Sequence, residues 1–299
     1  DCVLLRGEPP VRLAPLLHDA LQIAVPNICI YVLTFINEFT NTIFVGHMGN
    51  EAMLAAVGLG NMMQNCFGLS IGLGIAAALD TLVSQAHGAK QTRLSCLYLQ
   101  RCRVLLALQL LWMLPVLCFS DVWLLLLHQD PEVVHHAGNY NRASAWGLFA
   151  IFQFTASRNF LCNQGLATTP AVICGVCSML HVVWCWLFIV HQGMGPTGAG
   201  LANVVTWWLQ FLISCVYLHR EAPRLGFEPR EVLWISRGGL EEWSAYLEVA
   251  VPAVIQLCSE WWFWELMTLV VGYMGSVALA AHTATQSVVV ISLMPCAGI

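Results

Sequence analysis

The chain has 299 residues, of which 58% are apolar and only 10% charged; 12 Lys or Arg stand against 17 Asp or Glu, and the mean hydropathy is +0.70. A soluble domain carries about 25% charged residues, so this chain cannot dress a water-exposed surface. That excludes an ordinary soluble enzyme and a disordered tail, and the net charge of -5 excludes a nucleic-acid-binding domain, which needs a basic stripe.

Spanning a bilayer takes about 20 mainly apolar residues in a helix. Apolar windows bounded by charge, Gly or Pro place spans at 17–45, 52–79, 104–127, 138–162, 169–190, 197–219, 244–273 and 277–299. The expected fold is therefore an all-α integral membrane protein of about eight helices. Residues 1–16 read as a cytoplasmic N-terminal segment. The stretch 220–243 breaks the apolar pattern with Pro223, Pro229 and alternating charge, which suits an interfacial loop containing a short amphipathic helix. No cleavable signal peptide is expected, because the first apolar run is too long and is studded with polar residues.

Most of the 13 cysteines, including Cys29, Cys66, Cys118, Cys174, Cys177, Cys185, Cys215 and Cys258, lie inside apolar runs. Free Cys behaves there as a small hydrophobe, so neither disulfides nor a metal are expected. Cys177, His181 and Cys185 share a face of the fifth span but reach only part of a tetrahedral metal shell, which favours packing. Phosphate-binding Gly loops, metalloprotease helices and nucleophile elbows are absent from the sequence. A non-enzymatic role without a cofactor is expected.

Basic residues set orientation. Arg6 and Arg12, then Lys90, Arg93, Arg101 and Arg103, then Arg158, then Arg220, Arg224, Arg230 and Arg237 all fall on one side if the spans alternate; Arg142 alone falls on the other. This puts the N-terminus in the cytoplasm.

The run Val45-Gly-His-Met-Gly-Asn-Glu-Ala-Met-Leu-Ala-Ala56 reappears as Val271-Gly-Tyr-Met-Gly-Ser-Val-Ala-Leu-Ala-Ala281, one residue shorter. Each copy closes one span and opens the next, so spans one and two correspond to spans seven and eight. A repeat unit of six spans returns to its starting side, which relates the copies by an axis along the membrane normal. The expectation is a twelve-span plan: a first six-helix lobe at 17–219, a cytoplasmic linker at 220–243, and the start of a second lobe at 244–299, with the chain stopping before that lobe is complete. Duplicated six-span halves characterise secondary transporters, whose substrate sits between the lobes.

Five further runs, in order, are Ile36-Asn-Glu-Phe-Thr-Asn-Thr-Ile-Phe-Val-Gly-His-Met-Gly49, Ala78-Leu-Asp-Thr-Leu-Val-Ser-Gln-Ala-His-Gly-Ala-Lys-Gln91, Leu161-Cys-Asn-Gln-Gly165, Gly198-Ala-Gly-Leu-Ala-Asn203 and Ser259-Glu-Trp-Trp-Phe-Trp-Glu265. Together they resemble the multidrug and toxic compound extrusion (MATE) transporters, in their eukaryotic branch, over nearly the whole chain. The resemblance implies an antiporter in a plasma, vacuolar or other organelle membrane. It would expel organic cations or other small organic compounds in exchange for H+ or Na+. Two other functions stay open: a non-transporting fragment, and a flippase for lipid-linked precursors, which would need a basic cavity for pyrophosphate.

Ionisable groups at membrane depth are functional candidates by default. Three carboxylates qualify: Glu38 in the first span and Glu260 and Glu265 in the seventh. Protonation would cancel their attraction for a cationic substrate and deprotonation restore it, which is all that exchange requires. The resemblance assigns proton coupling and substrate binding to Glu260, the first glutamate of the Glu-Trp-Trp run. Glu265 lies five residues on, about 140° around a helix, so it is expected on a different face, either as a second coupling group or bonded to a neighbouring helix. Glu38 either replaces the aspartate that bacterial members carry where this chain has Asn41, or anchors a helix contact. Asn41, Asn61, Gln64, Trp261 and Trp262 are candidate cavity-lining residues, the tryptophans through cation–π contact. Asn61, Gln64 and Asn65 share i, i+3, i+4 spacing, which equally suits glue between helices. His282 is a further titratable candidate. Asp80, Thr81, Ser84 and Gln85 read as a helix end that fixes the following loop.

Overall fold

The computed structural model describes residues 13–297, and those residues contain helices and no strand. Arg6, Arg12 and most of the expected N-terminal segment lie outside them. Helix α1 (Leu13–Gly46) ends in a tight turn where Gly49 takes a left-handed conformation at φ +72°, and α2 (Glu51–Gln64) opens with Asn50 accepting a hydrogen bond from the Met53 amide. A π-helical turn at Asn65–Leu69 joins α2 to α3 (Ser70–Gly88) in one continuous rod. Helix α4 (Thr92–Cys118) is followed by the short α5 (Ser120–Leu126). Asp130 caps α6 (Pro131–Ser144), and a single 3-10 turn passes the chain into α7 (Leu148–Asn163). Helix α8 (Thr168–Cys185) ends in a second π turn, and α9 (Gly195–Glu221) follows. The expected loop helix is α10 (Pro229–Leu233), after which come α11 (Trp243–Gly272) and α12 (Ser276–Ala297).

These helices make eight rods in the expected order, and six are long and apolar enough to cross a membrane by composition alone. Of the other two, the α6–α7 rod is broken by its 3-10 turn, and α11 carries Glu248, Glu260, Glu265 and four tryptophans. The turn between α11 and α12 repeats the turn between α1 and α2, including a left-handed glycine, Gly275 at φ +104°.

The expected boundaries are corrected in three places. The second rod runs on to Gly88, the fourth begins at Pro131, and α4 begins at Thr92, twelve residues before the expected start. Arg101 and Arg103 therefore belong to a helix and are buried. Their charge serves the segment that crosses over α4 on its way to α11. Arg103 donates to the Val232 carbonyl and, at 2.9 Å, to the Ser157 hydroxyl; Arg101 pairs with Glu242 at 3.5 Å. Gln100 donates to the Glu231 carbonyl at 2.6 Å and accepts from both the amide and hydroxyl of Ser236.

Helices α2, α3, α4, α6 and α7 share one apolar core. Helix α11 lies along α3, and α12 packs on both α1 and α2. The seventh and eighth rods thus sit against the first and second, with a cavity left among them.

Candidate functional site: a carboxylate-lined cavity among four helices

The cavity has a volume of about 550 Å3, and α1, α2, α11 and α12 all contribute to its wall. All three candidate carboxylates line it, as do Asn61 and Trp261. Glu265 is the most deeply set at 7% exposure and accepts a 2.6 Å hydrogen bond from the Asn65 side chain. That bond occupies Oε1 and leaves Oε2 as the oxygen that can carry or release a proton. Glu38 is half-buried and lines the same cavity from α1. Glu260 stands at the exposed margin. Glu260 and Glu265, expected on different faces of α11, both line this one cavity.

Asn41, Gln64 and Trp262 are placed elsewhere. Asn41 is fully buried among α1, α8 and α9, donating to Asn203 at 2.9 Å and facing His181 at 3.2 Å. Gln64 turns toward α6 and donates to Asn141 at 2.9 Å. Trp262 spends its indole N–H on the Cys66 carbonyl at 2.9 Å. That contact locks α11 to the π turn, where the altered winding frees a carbonyl from the regular ladder. Asp80 accepts hydrogen bonds from Asn159 and Asn163 of α7, which ties the end of α3 to its neighbour.

Cys177, His181 and Cys185 belong to the interior of the bundle. His181 reaches Thr206 at 2.8 Å as well as Asn41, and Cys185 donates to Asn41 at 3.2 Å.

The sequence did not single out Phe35, Phe39, Trp264 or Gln286, which also line the cavity. Gln286 accepts from the Thr268 hydroxyl at 3.0 Å, and that hydroxyl also meets His282 at 3.2 Å. The available signal was position: Gln286 lies one turn beyond His282 on the same helix face. Carboxylates flanked by aromatic rings can hold a cation by charge and by cation–π contact together, and among the described residues the lining contains no Lys or Arg.

Comparison with known proteins agrees with this architecture. The MatE family model matches residues 24–187 and 252–299. Multidrug and toxin extrusion protein 1 of Homo sapiens is 29% identical, over 98% of this chain and 51% of its own length. Multidrug and toxin extrusion protein 2 of Oryctolagus cuniculus is 31% identical, over 88% of this chain and 43% of its own length. The chain thus spans about half the length of these curated relatives. The crystal structure of the eukaryotic MATE transporter AtDTX14 superposes with a TM-score of 0.81 at 22% identity, covering 94% of this chain and 63% of that one. A family-model match over both the first rods and the last two, on a shared helical fold, makes this chain a member of the MatE family of multidrug and toxic compound extrusion proteins.

Proposed function

We propose that the chain supplies the substrate cavity of a secondary antiporter that expels organic cations, or other small organic compounds, in exchange for protons. The observation that carries this proposal is the convergence of Glu38, Glu260 and Glu265 on one cavity with aromatic walls. Glu265 is the proton carrier in this scheme: its Oε1 is fixed by Asn65, so a proton on Oε2 switches its charge without rearranging the site. Glu38, facing it, prevents both from staying ionised in an empty cavity; a cationic substrate relieves that repulsion, and protons displace the substrate by relieving it equally. Glu260, at the margin, attracts the cation first. Na+ would be drawn by the same charges and is the competing coupling ion. The acidic lining speaks against a pyrophosphate-bearing lipid precursor as cargo.

We also read residues 17–219 as a first lobe, 220–243 as a cytoplasmic linker and 244–299 as the start of a second lobe. The duplicated turn and the one-sided Lys and Arg support this division and a cytoplasmic N-terminus.

In proteoliposomes, a cationic dye should move against an imposed proton gradient. Glu265→Gln should reduce that flux by tenfold or more while dye binding persists, and Glu260→Gln should raise the dye concentration needed for half-maximal flux. Flux indifferent to the proton gradient, or unaffected by either substitution, would overturn the mechanism. Replacing Na+ with K+ at fixed pH and fixed membrane potential separates the two ions.

A further inference from the structure

The repeat extends beyond its turn. Leu54-Ala-Ala56 matches Leu279-Ala-Ala281 at an offset of 225 residues, and the same offset pairs Gly58 with Thr283 and Asn61 with Gln286. The paired helices meet at that point: a β-carbon on Gly58 would lie 2.0 Å from the Thr283 hydroxyl oxygen. Helices α2 and α12 begin at equivalent turns and run in the same direction. Asn61 and Gln286, each three residues or about 4.5 Å past the contact, therefore stand at one depth on either side of it, and both line the cavity.

Their hydrogen-bonding faces follow from what each has already used. The Asn41 side chain donates to the Asn203 oxygen at 2.9 Å, the Asn203 amide donates to the Tyr140 oxygen at 3.2 Å, and the Tyr140 hydroxyl donates to the Asn61 oxygen at 2.7 Å. Each bond fixes the direction of the next. Reversing Asn61 would break that 2.7 Å bond and set its amide hydrogens against the Tyr140 hydroxyl proton. The Asn61 amide is thus turned with its NH2 group free. Gln286 arrives at the same state by another route, because its oxygen takes the Thr268 hydroxyl.

The other polar cavity-lining groups beside them are engaged. Thr283, Thr285 and Ser287 donate to carbonyls of their own helix. The Asn65 amide is committed to Glu265. With the Thr268 proton on Gln286, the His282 Nε2–H donates to Thr268.

We propose that Asn61 and Gln286 form a paired amide site in the cavity that receives a hydrogen-bond acceptor, such as a carbonyl oxygen, carried by the organic cation. This rests on the cation-binding role proposed above and narrows it. The carboxylates hold the positive centre, while the amide pair, which a carboxylate cannot imitate, selects cations with an acceptor at the other end. Tyr140 is a positioning residue for Asn61.

The test uses a matched pair of ligands, 4-acetylbenzyl-trimethylammonium and its 4-isopropyl analogue, which have the same charge and heavy-atom count and differ in the acceptor. Binding to the purified chain in lipid nanodiscs should favour the acetyl compound by about tenfold, the scale of one to two net hydrogen bonds. Gln286→Met and Asn61→Leu should each reduce that preference by about threefold and together abolish it, the acetyl compound losing affinity while the isopropyl compound binds at least as tightly against the added apolar surface. Gln286→Met keeps the side-chain volume and leaves the buried Tyr140 bond intact, so its result does not depend on the folding of Asn61→Leu. Tyr140→Phe should weaken the acetyl compound alone. Equal affinities in the wild type, or a preference that survives the double substitution, would overturn the amide pair and leave the cation site standing. Failure of both compounds to bind would overturn the cation site and the amide pair together.

Discussion

Tyr140 shows how much one hydroxyl can organise in a membrane interior. Its ring is 1% exposed, and its oxygen is the joint between the buried Asn203 and the cavity-facing Asn61. Removing it in Tyr140→Phe leaves a buried amide donor without a partner, which costs about 1–3 kcal/mol. Thermal unfolding in detergent should show that loss, and Asn203→Ala should cost markedly less in the Phe background than alone; additive effects would mean that the two groups do not act as a chain. The same residue marks the limit of what the sequence shows about the site. Glu38, Glu260 and Glu265 were legible because a carboxylate at membrane depth needs a reason to be there. Asn41 and Gln64 were not, because neutral amides satisfy one another between helices as readily as they line a cavity. Gln64 sits 100° from Asn65 on the wheel, and only the presence of Asn141 on α6 decides which way it turns.

At the scale of the helices, the seam depends on residues without side chains. A methyl at position 58 would drive into Thr283, so Gly58→Ala should push α12 from α2 at a cost of about 1–3 kcal/mol. Thr283→Ala in the same chain should return part of that stability, a coupling that thermal melts of the four variants would measure. The crossing segment offers a second case. Gln100, 1% exposed, holds the Glu231 carbonyl and both donors of Ser236. Gln100→Ala should release residues 229–240, read as faster amide exchange confined to that stretch; unchanged exchange would assign the clamp to Arg103 alone. Span number and order were legible from apolar runs. The start of α4 was not, since Arg101 and Arg103 read as loop charges. They are buried where the Val232 carbonyl, Ser157 and Glu242 meet them, contacts that come from residues more than fifty positions away.

For the whole molecule, the position of α11 and α12 decides what can move. Among their close approaches to the preceding rods are Gly74 against the Val254 backbone, Gly58 against Thr283, Gly272 against Gln129, and Ser70 beside Cys258 at 3.5 Å. Small residues let the helices come close, and parting them would cost the Trp262–Cys66 and Tyr246–Ile75 hydrogen bonds, at 2.9 and 2.8 Å, that cross between α11 and the second rod. If the proposed antiport proceeds by one group of helices rocking on the other, the α3–α11 seam must open or shear in each cycle while Glu265 exchanges its partners. Ser70→Cys places a second sulfur within reach of Cys258, where a disulfide needs about 2 Å between sulfurs. Mild oxidation should then halt dye flux, reductant should restore it, and the same substitution in a Cys258→Ser background should be insensitive to both. A fully cross-linked protein that carries dye at the reduced rate would show that this seam stays shut, and the cavity would have to open on its other side, between α1 and α12.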